Sequence, residues 1–223
     1  MVPITDAQLK QVAPNIRTQY HQAFAEADTV LGQFGINTTA IRLRHFMAQI
    51  LEESGRFTVL WEDMNYSAPR LVQVWPTRFK PKGPLDPAAY AHQPEKLGNE
   101  VYGKRMGNSA TNGYLYRGRG LIQTTGHDAY ATAISVMKKA YPAATVPDFV
   151  ATPDLLLDAQ WCLKVAAAEY AGYGCNAIAD GDTGHDSTKE AAVLRAITLK
   201  VNGGTTGLAA RNTELQRAKA VWP

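Results

Sequence analysis

Residues 51–66 read Leu-Glu-Glu-Ser-Gly-Arg-Phe-Thr-Val-Leu-Trp-Glu-Asp-Met-Asn-Tyr. The positions before this stretch carry apolar residues at helical spacing, and Gly55 is a natural helix end. After Gly55, apolar residues alternate with polar ones over 57–61, which is typical of a short strand. The stretch therefore predicts that Glu53 lies in the last turn of a helix and that Glu62 follows a strand.

Glu53 and Glu62 are two carboxylates that the chain presents from different local structures. A glycosidic bond breaks when one carboxylic acid protonates the leaving oxygen and a second carboxylate activates water or steadies the developing cation. Two acids in different environments can divide these roles. Spacing alone equally fits a helix-terminal glutamate in solvent or in a local ion pair, so the assignment depends on the neighbouring motifs.

Helical patterns dominate the remaining chain, and the fold class they predict is mainly α with one small β element. The stretch Pro76–Pro94 is rich in Pro, Lys and Gly, which indicates an irregular segment at a lobe boundary. Residues 103–126 contain many glycines with aromatic and basic residues, and this composition favours a cleft wall. Helices are predicted near residues 5–16, 19–32, 39–54, 70–75, 95–102, 129–141, 153–172, 189–202 and 208–221.

The bulk composition favours one globular catalytic domain over residues 1–223, without a separate wall-binding module. Charged residues make up 19% of the chain, and the net charge is only +3. That charge is too small for the dense basic surface of a nucleic-acid-binding protein. No apolar run approaches the length of a bilayer span, so stable membrane insertion is not expected. We expect a monomer.

Metal and cofactor sites are not predicted. The histidines show no metal-ligand spacing, and the acidic loop 180–186 has His185 where a calcium loop of the EF-hand type needs glycine. Cys162 and Cys175 match no redox or zinc motif, so they are expected to be buried or free thiols. Gly118-Arg-Gly120 lacks the remaining elements of a dinucleotide loop.

Several motifs, taken in chain order over about residues 40–212, resemble the family 19 glycoside hydrolases, in particular the phage endolysins of that family. An ordered series of this kind is more specific than any single motif. The motifs are His45-Phe-Met-Ala-Gln-Ile-Leu-Glu-Glu-Ser-Gly-Arg-Phe57, Glu62-Asp-Met-Asn-Tyr-Ser-Ala68, Val74-Trp-Pro-Thr-Arg-Phe79, Tyr102-Gly-Lys-Arg-Met-Gly-Asn108, Tyr116-Arg-Gly-Arg-Gly-Leu-Ile-Gln-Thr-Thr-Gly126 and Val201-Asn-Gly-Gly204.

The resemblance implies a lysozyme-like, two-lobed helical fold with the small β element beside an active-site cleft, and an inverting reaction. By this resemblance Glu53 is the general acid, Glu62 is the base and Thr125 helps to hold the reacting water. Inversion needs the two carboxyl groups about 6.5–9.5 Å apart. Met47, Ile50 and nearby aromatic residues are expected to desolvate Glu53 and thereby keep it protonated.

The resemblance also implies residues that bind the substrate. Gln123 and Asn202 are expected to line the cleft, and Arg211 either binds substrate or orients a carboxylate. Tyr66 and Arg119 are further candidates for sugar or peptide contacts. Local turn bonding for Thr125 and Gln123, a helix cap for Asn202, a surface charge for Arg211, and core or loop support for Tyr66 and Arg119 are the alternative interpretations.

Two positions depart from the family pattern. Glu52 stands where family members commonly have His, and Ala129 stands where they often have Asn. The first departure bears on how the acid is tuned, because Glu52 points about 100° away from Glu53 around the helix. The second implies that one substrate hydrogen bond is missing or is made by His127 or Asp128.

The predicted function is that of a peptidoglycan-degrading endolysin that hydrolyses β-1,4 bonds between N-acetylmuramic acid and N-acetylglucosamine without a cofactor. The expected partner is the glycan of the bacterial cell wall. The expected location is the host cytoplasm after synthesis and the periplasm after release by a holin. A chitinase, a lytic transglycosylase and a non-catalytic wall-binding or virion protein are the alternatives.

Overall fold

The computed structural model describes residues 1–223, which form a mainly helical protein. Short 3-10 helices occur at Phe24–Glu26, Pro87–Ala89 and Pro153–Leu157. The α-helices are α1 Asp6–Val12, α2 Thr18–Ala23, α3 Ala27–Gln33, α4 Ala40–Glu53, α5 Ala68–Val74, α6 Pro94–Tyr102, α7 His127–Ala140, α8 Cys162–Gly172, α9 Cys175–Ala179, α10 Ser187–Asn202 and α11 Leu208–Val221.

Helix α4 runs through the centre of the larger lobe. The side chain of Thr39 caps it by accepting a hydrogen bond from the backbone N–H of Arg42. Nearly every residue from Leu43 to Leu51 is buried, so α4 has packing neighbours on all sides. Helices α10 and α11 lie against it. The predicted end of this helix is confirmed, and Glu53 is its last residue.

The predicted strand over 57–61 is wrong. Arg56 and Phe57 adopt left-handed backbone angles, with φ of 55° and 63°, so the chain coils tightly after α4 instead of extending. The ring of Phe57 is fully buried in the main core. Within 57–61 only Trp61 takes part in a β-bridge, an isolated one to Arg119, which in turn pairs with Thr124. The β element is therefore reduced to bridges beside Glu62.

The hydrophobic cores divide the chain into two lobes. The largest core has 29 buried residues, which come mainly from helices α1 to α4, α8 to α11 and the segment after α4. A second core joins α7 to α8. The smaller lobe is built around five buried residues of α5, α6, the irregular segment between them and the segment that precedes α5: Met64, Leu71, Phe79, Leu97 and Val101.

Most of the remaining helix predictions are confirmed with shifts of one or two residues. Three predicted helices are exceptions. The segment 5–16 is shorter than predicted, because α1 ends at Val12. The segment 19–32 is interrupted by a 3-10 turn, and 153–172 forms a 3-10 helix and then α8. Cys162 and Cys175 are buried free thiols, as expected. None of the helices combines the length and apolarity needed to cross a membrane.

Candidate active site

A cleft of about 500 Å³ brings together most of the residues that the sequence motifs single out. Both catalytic candidates line it, although they belong to different segments. The other predicted residues in its wall are Gln123, Thr125 and Asn202. The remaining wall residues are Tyr102, Met106, Gly118, Ile122, Thr124, Ala129, Glu169, Tyr173 and Val201. Arg211 lies directly behind Glu53, whereas Arg119 and Tyr66 are outside the wall.

Glu53 is held by an ion pair from behind the cleft. The guanidinium of Arg211 donates one hydrogen bond to Glu53 Oε1 and another to Gln49 Oε1, the latter at 2.8 Å. The side chains of Arg211 and Glu53 are only 3% and 16% exposed. Glu53 is thus largely removed from water, but its neighbour is a cation and not the apolar wall expected from Met47 and Ile50, which are buried in the core.

Glu62 has a different environment. The hydroxyl of Tyr102 lies 2.8 Å and 2.9 Å from its two carboxylate oxygens and donates to them. Burial raises the pKa of Glu62 above its usual value of 4.5, and the hydrogen bonds from Tyr102 and the backbone of Gly118 offset part of this rise. A raised pKa makes Glu62 a stronger base than an exposed glutamate. The two carboxylates therefore have different partners: a guanidinium for Glu53 and a phenol for Glu62.

Replacing Tyr102 by phenylalanine is expected to raise the pKa of Glu62 further. The tyrosine hydrogen bond stabilises the ionised carboxylate, so its loss leaves the burial effect less opposed. Carbon-13 NMR titration of glutamate carboxyl groups measures this directly, and the Glu62→Gln variant assigns the signal. An unchanged or lowered pKa in Tyr102→Phe would contradict this account of the base.

The loop 118–125 places the polar side chains of Gln123 and Thr125 in the cleft wall. Thr125 Oγ1 donates to the carbonyl oxygen of Gln123 at 2.7 Å, which leaves its lone pairs to accept a hydrogen bond from water. Gln123 has a left-handed backbone with φ of 55°, and its amide donates to the carbonyl of Gly120. A methyl group at Gly118 would stand 2.8 Å from Gln123 Oε1 and 3.2 Å from Thr125 Oγ1. A side chain at position 118 would therefore push the amide of Gln123 out of its observed position.

The side chain of Arg119 is buried behind the loop 118–125, which it supports, and it does not face the cleft. Its side chain is 3% exposed and donates to Asp154 Oδ1, to the carbonyl oxygens of Leu115 and Arg117, and to the hydroxyl of Tyr130. The predicted substrate contact of Arg119 does not fit this burial. The alternative interpretation of loop support agrees with these contacts.

Replacing Arg119 by methionine is expected to lower the free energy of unfolding by about 3 kcal/mol, because buried carbonyl and hydroxyl acceptors lose their donor. KM should change little at temperatures where the variant stays folded. Urea denaturation and steady-state kinetics measure the two effects, with exposed Arg105→Met as the control. A large rise in KM without loss of stability would restore the substrate-binding role.

The two remaining predicted residues are Asn202 and Tyr66. Asn202 is the last residue of α10, and its exposed amide lies in the cleft wall, 3.4 Å from the carbonyl oxygen of Thr206. Tyr66 packs edge to face on Trp75. Burial raises the pKa of Tyr66, and the charge of Glu62 adds to this rise, which places the phenol near the base. A substrate contact by Tyr66 stays a prediction.

Glu52 faces the start of α11 and not the cleft. A methyl group on Gly207 would stand 2.8 Å from Glu52 Oε1, so the carboxylate lies against the backbone there. Burial raises the pKa of Glu52, and Arg211 opposes that rise. This glutamate therefore acts on the same guanidinium as Glu53. The departure at Glu52 therefore bears on Arg211, the ion-pair partner of Glu53.

Glu169 is a cleft residue that the motifs did not indicate. It lies on α8 and accepts a hydrogen bond from Thr124 Oγ1 at 2.8 Å. Burial raises its pKa to about 7, while hydrogen bonds from Thr124 and Tyr173 oppose the rise. The signal in the sequence was a single charge within the apolar run Val165–Tyr170. No cluster of three or more His, Cys, Asp or Glu side chains suited to a metal ion is present.

Comparison with known proteins tests the family resemblance and the fold. No protein-family model matches the chain. Over 89 residues, however, the chain is 43% identical to the glycosyl hydrolase family 19 domain-containing protein of Haemophilus influenzae, a match over 39% of this chain and 44% of that protein. The resemblance to the family 19 glycoside hydrolases is confirmed. The match spans less than half the length of this relative.

Solved family 19 structures show the same fold. Chitinase C from Streptomyces griseus HUT6037 superposes with a TM-score of 0.56 at 16% identity, over 98% of this chain and 76% of that one. A bacterial family 19 chitinase gives a TM-score of 0.54 at 18% identity, over 98% and 94% of the two chains. The expectation of a mainly α, lysozyme-like fold is thus confirmed.

Proposed function

We propose that the protein hydrolyses β-1,4 bonds between amino sugars by an inverting acid/base mechanism. The observation that carries this proposal is the meeting of Glu53, Glu62 and Thr125 in one cleft between helical lobes. A cleft with two carboxylates in different environments, lined by polar side chains, suits a sugar chain and a reacting water. The family 19 fold supports a glycosidase.

In this mechanism the ion-paired carboxylate of Glu53 first takes up a proton from solvent and then gives it to the leaving oxygen. Once it has given up the proton, it becomes a carboxylate, and the buried guanidinium of Arg211 stabilises that charge as it develops. Gln49 fixes the guanidinium from its other side. Arg211 is therefore a positioning residue for Glu53. This role corresponds to one of the two expected from the sequence and replaces direct binding of substrate.

Glu62 removes a proton from the water that attacks the sugar from the opposite face. Its raised pKa strengthens it as a base, and Tyr102 holds its carboxylate in place. The free lone pairs of Thr125 accept a hydrogen bond from the same water. Gln123 and Asn202 then contact hydroxyl or acetamido groups of the sugars.

The proposed substrate is peptidoglycan, cleaved between N-acetylmuramic acid and N-acetylglucosamine, and the proposed role is that of an endolysin. Support comes from the ordered motifs over residues 40–212, which resemble phage endolysins of family 19. In this role the protein is made in the host cytoplasm, is released by a holin and acts as a monomer on the wall in the periplasm.

Chitin is the alternative substrate, and the similarity to two solved chitinases favours it. A lytic transglycosylase needs a single glutamate and no water, so the presence of Glu62 and Thr125 beside Glu53 favours hydrolysis. Purified sacculi and chitin oligomers, digested in parallel, separate the two hydrolases. Release of reducing N-acetylmuramic acid from sacculi supports the proposal, while 1,6-anhydro ends or activity on chitin alone contradicts it.

A further inference from the structure

A third carboxylate lies in the cleft and has no part in the acid/base mechanism. Glu169 projects from α8 into the same wall as Glu53 and Glu62. The hydroxyl group of Thr124 donates to it at 2.8 Å and fixes its orientation. An oriented carboxylate in a sugar-binding cleft is a ready acceptor for a substrate donor.

A second cavity, of about 370 Å³, adjoins the cleft at this carboxylate. Ala129, Glu169 and Tyr173 line both spaces, so they form the partition between them. The walls of this side cavity come from α7 and α8 and are mostly apolar. Besides the three shared residues they comprise Thr132, Ala133, Val136, Met137, Val165, Ala168 and Gly172.

We propose that Glu169 and this side cavity together bind a secondary amide of the substrate, the carboxylate accepting its N–H and the cavity receiving its methyl group. The inference rests on the proposed function and deepens it by naming the group recognised. Selective ligand pockets are usually lined by apolar side chains, with a few polar groups that fix the orientation of the ligand. Glu169 is thus assigned as a residue that determines specificity.

Ala129 makes the entrance possible. Its side chain ends at Cβ, so α7 presents very little bulk beside Glu169 at the boundary that the cleft and the side cavity share. A larger residue at this position would fill the partition. The departure from the family pattern at Ala129 therefore has a structural consequence. Alanine lacks the polar side chain of asparagine and leaves space for an apolar group of the substrate.

Two parts of a cell-wall glycan carry the required chemistry. One is the acetamido group of each amino sugar, and the other is the amide that joins the lactyl group of muramic acid to the first alanine of the peptide stem. Both present an N–H next to a methyl-bearing carbon. The shared feature is a secondary amide with a small apolar substituent, and the experiment below separates the two sources.

Equilibrium binding tests the proposal without depending on turnover. Calorimetry is performed on Glu53→Gln and on the double variant Glu53→Gln/Glu169→Leu. The probes are soluble cell-wall oligosaccharides in three forms: intact, stripped of peptide stems by an amidase, and N-deacetylated. We expect loss of the recognised amide to weaken binding to Glu53→Gln by about tenfold or more. The double variant should bind all three forms equally weakly.

The pattern of losses identifies the source of the amide. Weaker binding of the stripped form assigns the peptide stem, whereas weaker binding of the deacetylated form assigns the acetamido group. Equal binding of all three forms to Glu53→Gln, or discrimination that persists in the double variant, would overturn the proposal. Glu53→Gln/Ala129→Leu provides a second, independent variant that should lose the same discrimination, and Glu53→Gln/Glu95→Gln is the surface control.

Failure of the proposed function is distinguishable from failure of this inference. A wild-type protein that releases no reducing ends from any glycan disproves the hydrolase, but the binding comparison still decides whether Glu169 recognises an amide. Conversely, a wild-type protein that digests sacculi while Glu169→Leu binds every form as tightly as its parent keeps the hydrolase and removes the amide site.

Discussion

Replacement of Glu53 by glutamine is expected to lower kcat on unactivated glycan by about 10²- to 10⁴-fold, the usual contribution of a general acid. Glutamine keeps a carbonyl oxygen to accept the hydrogen bond from Arg211, so the helix junction stays intact. The substitution removes the transferable proton and the negative charge that pairs with Arg211. Reducing-end assays on sacculi and on oligosaccharides measure the loss, with Glu95→Gln as the surface control.

The leaving group identifies the role of Glu53. An aryl glycoside with a strongly acidic phenol departs without protonation, so Glu53→Gln should cleave it at a rate much closer to that of the wild type. An equal loss on activated and unactivated substrates would show that Glu53 does not act as the acid. Unimpaired digestion of sacculi would remove it from the mechanism altogether.

Replacement of Glu62 by glutamine is expected to cost a similar factor of about 10²–10⁴ in kcat, but without recovery on the activated substrate. The base acts on water and not on the leaving group, so a better leaving group does not compensate for its loss. The amide of glutamine still accepts the hydrogen bond from Tyr102, which preserves the local structure. KM should therefore stay close to that of the wild type.

Comparison of the two variants also tests the order of roles. Glu53 carries the cationic neighbour, and burial raises the pKa of Glu62. If the activated substrate rescued Glu62→Gln instead of Glu53→Gln, the acid and base assignments would be exchanged. Proton NMR of the first product formed completes the test, since an inverting hydrolase of β-linked sugars releases the α-anomer.

Local sequence signals predicted the helices well because their ends carry recognisable chemistry. Thr39 caps α4 through its side chain, and the predicted bounds of α11 coincide with the observed ones. The alternating pattern over 57–61 was misleading, because a tertiary contact decides it: Phe57 turns into the main core through left-handed backbone angles. The periodicity of the sequence does not reveal that Phe57 packs in the core.

The sequence predicted only those site residues that belong to recognisable motifs. They placed Glu53, Glu62, Gln123, Thr125 and Asn202, which the structure brings into one cleft. The motifs did not show that the guanidinium of Arg119 supports a loop and is not exposed in the cleft, because burial depends on packing between distant segments. The environment of Glu53 was likewise hidden, since its ionic partner is 158 positions away in the chain.

The attachment of α11 to α4 has a consequence for heat resistance. Arg211 belongs to α11, and it reaches Glu53 only while the two helices stay packed together. Parts of a protein can open locally at a lower free energy than global unfolding requires. Warming should therefore abolish enzymatic turnover several degrees below the midpoint at which the bulk helical signal disappears, and cooling should restore it.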